Sequence, residues 1–163
     1  MAVHLAVQKQ RVMLIQNVKR AIDDYRWDDV TIATLCSHTS LQIFFGAHQE
    51  GFKTLGIAVG EIPKYYDAYP KAKPDTFLIV RTHQDILDLA PQLRARNTIL
   101  VPHGSFVEYL GADNFLDLPV PTFGNRHVLH WESDRARTRQ WLEAAGVSMP
   151  EEVRDPRDIR SPV

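Results

Sequence analysis

Two short segments, Ser37-His38-Thr39-Ser40 and Pro102-His103-Gly104-Ser105, gather hydroxyls, one histidine apiece and, in the second, a glycine. Such groups suit a small anionic ligand. Hydroxyls and the N–H groups of a helix N-terminus donate to phosphate, so a phosphate is a natural ligand for such a loop. Ser37, Thr39 and Ser40 add hydroxyl donors, and Gly104 lets backbone come close. The plainer reading of either segment is structural, because Ser and Thr are ordinary helix N-caps and a histidine beside a strand end is often only a hydrogen-bonded support. Two equivalent loops on one sheet favour the ligand reading and point to a phosphorylated small molecule.

Other chemistries find less support. No GxGxxG follows the first apolar strand and no GxxxxGK[ST] occurs, which argues against a dinucleotide or triphosphate site in this chain. Arg126, in Gly124-Asn125-Arg126, could fork onto a phosphate or carboxylate. On sequence alone a surface arginine paired with Glu132 or Asp134 is preferred. His127 and His130 have a spacing that a metal could use, but no cysteine or third ligand accompanies them, so no metal site is expected. Cys36 closes an apolar run and reads as core, not nucleophile. No paired carboxylates and no Ser-His-Asp order stand out.

The elements that must position these loops follow from periodicity. Residues 8–25 carry apolar side chains at Val12, Ile15, Val18, Ile22 and Tyr25, in helical steps of three and four. Apolar, β-branched runs at residues 30–36, 53–59, 75–80 and 97–101 read as strands of a parallel sheet. Between them, residues 41–51 read as a helix with Leu41, Phe44, Phe45 and His48 on one face and Gly51 as its stop. A second helix is opened by Thr82 and interrupted or ended near Pro91. A short helix follows Ser105, then an extended piece LPVPTF, then a helix over residues 133–145 closed by Gly146. Alternating strands and helices predict a Rossmann-like three-layer α/β domain with a mostly parallel sheet over residues 1–147. Residues 148–163, charged and proline-bearing, read as a linker. Residues 60–74, with Tyr65, Tyr66 and Tyr69, break the rhythm and are expected to form a surface excursion at a site rim or an oligomer contact.

Composition sets the boundaries. The 163 residues include 19 Lys and Arg against 20 Asp and Glu, for a net charge of -1, so no general attraction to nucleic acid or an anionic membrane is expected. A single cysteine excludes an internal disulfide and fits a cytoplasmic protein. No secretory signal is recognisable, and no apolar run reaches the roughly 18–20 residues needed to cross a bilayer.

Four blocks in register, TIATLCSHTSLQIFFGAHQEGFKT, NTILVPHGSFVEYLG, FGNRHVLHWESDR and LEAAGVSMPEEVRDPRDI, resemble the archaeal-type FAICAR synthetases. These are formate-dependent ligases of purine biosynthesis in the ATP-grasp superfamily, acting on AICAR (5-aminoimidazole-4-carboxamide ribonucleotide). The resemblance implies a domain of pre-ATP-grasp type in which His38 and Ser105 bind AICAR. Thr39, Ser40 and Gly104 are supporting candidates, and Arg126 is a lower-grade one that the resemblance does not supply. It also implies formylation of AICAR to FAICAR with formate as donor, and ATP with Mg²⁺ held by an ATP-grasp part, in cis or as a separate chain. No catalytic residue is identified among these 163 residues, and the chain is expected to be incomplete and inactive alone. A homo-oligomer is expected. The competing readings are a stand-alone module that binds a nucleoside monophosphate and a non-catalytic subunit of an oligomer.

Overall fold

A computed structural model describes residues 23, 25–153 and 155–159. The helix expected over residues 8–25 lies almost wholly outside them. Four strands form the sheet: β1 (Thr31–Leu35), β2 (Lys53–Val59), β3 (Thr76–Val80) and β4 (Thr98–Leu100). All neighbours are parallel, in the order β3-β2-β1-β4. The chain therefore winds outward from β1 through β2 to β3, then crosses back to place β4 on the free side of β1. This is the α/β architecture expected from alternating strands and helices, and the change of direction falls between β1 and β4.

Each face of the sheet is closed by different elements. Ala33, Leu35, Leu55, Ile57 and Leu100 point to one side, where the core continues through Ile86, Leu93, Phe106 and Phe115. Ile86 belongs to a 3₁₀ segment, Gln84–Leu89, and Leu93 to α3 (Ala90–Ala95). Phe106 and Phe115 come from α4 (Gly104–Leu110) and α5 (Ala112–Asp117). The opposite side is covered by α1 (Ser40–Gln49) and by the one-turn α2 (Tyr65–Ala68). There Phe44 and Tyr66 are fully buried and lie 6.2 Å apart by ring centroid, with Phe77 5.6 Å from Tyr66.

Several sequence expectations change. Residues 60–74 are not merely a surface excursion: Tyr66 anchors them in the second core, although Tyr69 is 57% exposed. On α1 the buried face is Ser40, Phe44 and Ala47, while Phe45 is 41% exposed. Near Pro91 the helical run is interrupted and not ended: the 3₁₀ segment stops at Leu89 and α3 begins at Ala90. Pro91 sits in the first turn of α3, where its missing N–H costs no hydrogen bond. The LPVPTF piece joins the sheet edge through a single parallel bridge, Leu100 to Thr122, with Leu100 N–H donating to the Pro121 carbonyl at 2.9 Å and Phe123 N–H to the Leu100 carbonyl at 2.7 Å. Beyond it come α6 (His127–Glu132) and α7 (Arg135–Ala144). Asp134 caps α7 by accepting from Ala136 and Arg137 N–H groups, and Gly146 follows at φ +74°. No described helix is long and apolar enough to cross a membrane.

Gly56, in the middle of β2, leaves no room for a side chain. A Cβ there would stand 2.8 Å from Cys36 Sγ, 2.8 Å from Pro74 Cγ and 3.0 Å from Phe77 Cδ1. Alanine is the better strand residue by intrinsic preference, so the sign of a substitution separates propensity from packing. Gly56→Ala is expected to lower stability by about 1–3 kcal/mol in urea unfolding, through overpacking. An unchanged or raised midpoint would contradict this close approach.

Candidate functional site

The loops after β1 and β4 leave adjacent strands at the carboxyl edge, on either side of the point where strand order reverses. Open α/β sheets place their ligands in that crevice. Three hydrogen bonds sew its two lips together. Val101 N–H donates to the Ala33 carbonyl at 2.9 Å, Thr34 Oγ1 donates to the Val101 carbonyl at 2.7 Å, and His103 Nε2 lies 2.9 Å from the Leu35 carbonyl.

His103 is the residue that sequence reasoning noticed but did not select. Its Nδ1 accepts from Ser105 N–H at 3.3 Å, which caps α4, while its Nε2 faces a carbonyl that can only accept. The two contacts specify one neutral tautomer, protonated on Nε2. Burial pushes the His103 pKa below its ordinary 6.5; the bond to Leu35 opposes the shift, and the charge of nearby His38 adds to it. A cap made by a histidine, not a hydroxyl, was the available signal.

The remaining residues of the two loops divide by burial. His38 is exposed and Thr39 is half-buried at the N-cap of α1, where its hydroxyl makes no capping bond. Ser40 is fully buried: its Oγ donates to the Ser37 carbonyl at 2.6 Å, accepts from Ser37 N–H at 3.2 Å and lies 2.6 Å from Tyr66 Oη. The Ser40 hydroxyl is therefore committed to the loop itself. In the second loop Gly104 is exposed, with open space where a β-carbon would stand, and Ser105 is half-buried.

His38 also borders a groove of about 690 Å³ that runs along the exposed side of α1. Leu41, Gln42 and Phe45 form one wall, and residues 68–72 form the other. Gly104 and Ser105 do not line it, so His38 is the one candidate that belongs to both the strand-end crevice and this groove.

Arg126 is neither the surface ion pair preferred from sequence nor directed outward. Nη1 donates to the carbonyls of Phe115 (3.3 Å), Leu116 (3.1 Å) and Leu118 (2.6 Å). Nη2 donates to the Val120 carbonyl and to Thr122 Oγ1, and the guanidinium carbon lies 5.5 Å from the Phe115 ring centroid. A planar fork with five N–H groups can hold several diverging carbonyls at once, and here it closes the C-terminal end of α5 onto the piece that pairs with β4. His130 pairs with Asp113 at 3.1 Å and also contacts Arg137, which separates its role from that of His127. Among the described residues, no group of three or more His, Cys, Asp and Glu side chains could hold a metal ion. Cys36 is partly buried beside Tyr66, and burial pushes its thiol up to about 11, as suits a packed thiol and not a nucleophile.

Two measurements check these assignments. Because the folded chain disfavours the charged form of His103, the unfolded chain binds more protons, and stability is lost as pH falls below about 6.5. His103→Gln keeps a donor for the Leu35 carbonyl without titrating. Its urea stability is expected to fall less steeply than the wild type's between about pH 7.5 and 5.5, and parallel curves would refute the neutral-imidazole assignment. Arg126→Met retains length and removes the donors, leaving up to four carbonyls to find water. A loss of about 3 kcal/mol or more is expected, and a loss under about 1 kcal/mol would mean that the fork is dispensable.

Comparison with known proteins places this geometry. The model of the family described as "Protein of unknown function (DUF1246)" matches residues 32–153, which include both loops. Over 148 residues the chain is 56% identical to 5-formaminoimidazole-4-carboxamide-1-(beta)-D-ribofuranosyl 5'-monophosphate synthetase 1 of Methanosarcina mazei, covering 91% of this chain and 42% of that protein. The synthetase of the same name from Korarchaeum cryptofilum is 46% identical over 151 residues, at 91% and 41% coverage. The chain thus spans well under half the length of these curated relatives. The crystal structure of an IMP biosynthesis protein PurP from Thermococcus kodakaraensis superposes with a TM-score of 0.63 at 35% identity, over 79% of this chain and 41% of that one. A phosphoribosylaminoimidazole carboxylase ATPase subunit from Aquifex aeolicus shares the fold alone, at 13% identity, a TM-score of 0.51, and 74% and 33% coverage. With three quarters of its length inside the family model, the chain belongs to the DUF1246 family.

Proposed function

We propose that this chain is the AICAR-binding part of an ATP- and formate-dependent ligase that formylates AICAR to FAICAR. The observation that carries the reading is the crevice itself: two hydroxyl- and histidine-bearing loops at adjacent strand ends, stitched together by His103 and the Leu35 carbonyl. Relatives that share more than half of the aligned residues carry the name of the synthetase that makes this product.

In this reading each group has a distinct task. The phosphate of AICAR lies against the N-terminus of α1, where the helix dipole and the Thr39 hydroxyl favour an anion. The exposed His38 imidazole and the Ser105 hydroxyl orient the ribose or the carboxamide. Open space above Gly104 admits the ligand without a side chain in the way. Ser40 and Arg126, candidates on sequence grounds, support the site from behind through their own backbone contacts. ATP and Mg²⁺ belong to an ATP-grasp part, in cis or as a separate chain, and supply formate activation there. What these residues contribute is binding and orientation of the amine that is to be formylated.

Calorimetric titration of the chain with AICAR tests this, with ATP and formate as separate titrants. AICAR is expected to bind without ATP or formate. His38→Ala and Ser105→Ala are each expected to weaken AICAR binding about tenfold, equivalent to one lost hydrogen bond of about 1.4 kcal/mol, while the unfolding midpoint stays within error. Unchanged affinity in both variants would overturn the site assignment.

A further inference from the structure

Loop 37–40 carries His38 and is held in part by its own bonds, Ser40 N–H to the Ser37 carbonyl at 3.1 Å and Thr39 N–H to Ser37 Oγ at 3.2 Å. A further contact ties it to the core. Hydrogen-bond accounting identifies its donor. Ser40 Oγ has one proton, and that proton goes to the Ser37 carbonyl at 2.6 Å, an oxygen that can only accept. The same Oγ receives Ser37 N–H at 3.2 Å. The 2.6 Å contact between Ser40 Oγ and Tyr66 Oη must then run from the phenol, with Tyr66 donating. One serine hydroxyl thus holds both backbone groups of Ser37, and one tyrosine holds the serine.

We infer that Tyr66 is a positioning residue for the substrate loop: its buried phenol, acting through Ser40, sets the Ser37 backbone from which His38 projects. The inference rests on the AICAR reading for its ligand, though not for its geometry. Tyr66 does not touch the exposed face of the loop. It is wholly buried between Phe44 and Phe77, with the Tyr65 ring centroid 4.6 Å away. Three packed rings give the phenol one position, so the loop is aimed by a rigid group and not by a mobile side chain. Burial holds the Tyr66 pKa far above its ordinary value, so the donor proton is retained across the working pH range. Segment 60–74, which interrupts the βαβ rhythm, thereby gains a role: it delivers a hydrogen-bond donor to the underside of the strand-end loop.

The test compares Tyr66→Phe and Ser40→Ala with Tyr25→Phe. Tyr25 also donates its phenol, to the Thr98 carbonyl at 2.8 Å, but at the start of β4 and away from loop 37–40. In ¹⁵N spectra of the folded chain, Tyr66→Phe and Ser40→Ala are expected to shift the Ser37, His38 and Thr39 amides and to speed Ser37 amide exchange about tenfold. AICAR affinity is expected to fall about tenfold in both. Tyr25→Phe loses a comparable bond and should leave loop amides and affinity unchanged. Loop resonances and Ser37 exchange that are indifferent to Tyr66→Phe would overturn the inference, as would an equal affinity loss in Tyr25→Phe. Should the wild-type chain itself fail to bind AICAR, the substrate reading falls, and Ser37 exchange alone decides whether Tyr66 sets the loop.

Discussion

The hydrogen bond from His103 Nε2 to the Leu35 carbonyl ties the second loop to the end of a strand 68 residues earlier, and the crevice depends on it. It exists because β4 crosses back to lie beside β1 and not beyond β3. Once the two strands are neighbours, a residue three positions past β4 can reach the last carbonyl of β1. The same ring accepts the Ser105 amide, so one neutral imidazole both caps α4 and fixes that helix against β1. An asparagine could cap but is too short to span both contacts. A charged imidazole would lose the cap, because protonated Nδ1 cannot accept. Geometry and protonation state are therefore a single constraint.

That constraint matters because β4 is only three residues long. A short ladder offers few main-chain bonds, and side chains make up the difference at both ends. At the near end, Tyr25 Oη donates to the Thr98 carbonyl. At the same end Asn97 ties β4 to the segment before β1 by donating to the carbonyls of Arg26 and Asp29 at 2.7 and 2.9 Å. It does so from a left-handed backbone at φ 54°, which asparagine tolerates better than most residues. At the far end Thr34 and His103 supply the bonds, and on the outer side Arg126 secures the piece that pairs with Leu100. The strand is held by a ring of polar contacts around an apolar centre.

This arrangement also explains what could be read from the chain. The strands were legible because parallel strands are buried on both faces and so appear as continuous apolar runs, such as TIATL and KTLGIAV. The two loops were legible because their composition departs sharply from those runs. Phe45 was misplaced because helical periodicity groups Leu41, Phe44 and Phe45, whereas the sheet selects only the stripe centred on Phe44 and Ala47. Arg126 looked like a surface residue because its partners are carbonyls, which every residue has and no sequence pattern marks. Tyr66 was hidden for a similar reason, since its partner Ser40 lies 26 residues away and only the folded chain brings them together. The interruption near Pro91 was legible because proline cannot continue a helix interior: a 3₁₀ segment, Gln84–Leu89, gives way there to α3, whose first turn accommodates the proline.

The residues near the strand ends fall into two sets, and the division has a physical logic. Ser37, Ser40, Thr34 and His103 direct their hydrogen bonds into the protein, whereas His38 and Gly104 face outward. A site whose polar groups all faced outward would rest on loops free to rearrange, and part of the ligand's binding energy would go into ordering them. A site whose groups were all committed inward would hold nothing. Committing the inward set to fixing backbone allows the outward set to be few. Some of the hydroxyls that first suggested a phosphate site are thus committed to holding backbone, and the buried Tyr66 reaches the exposed loop through one of them, Ser40.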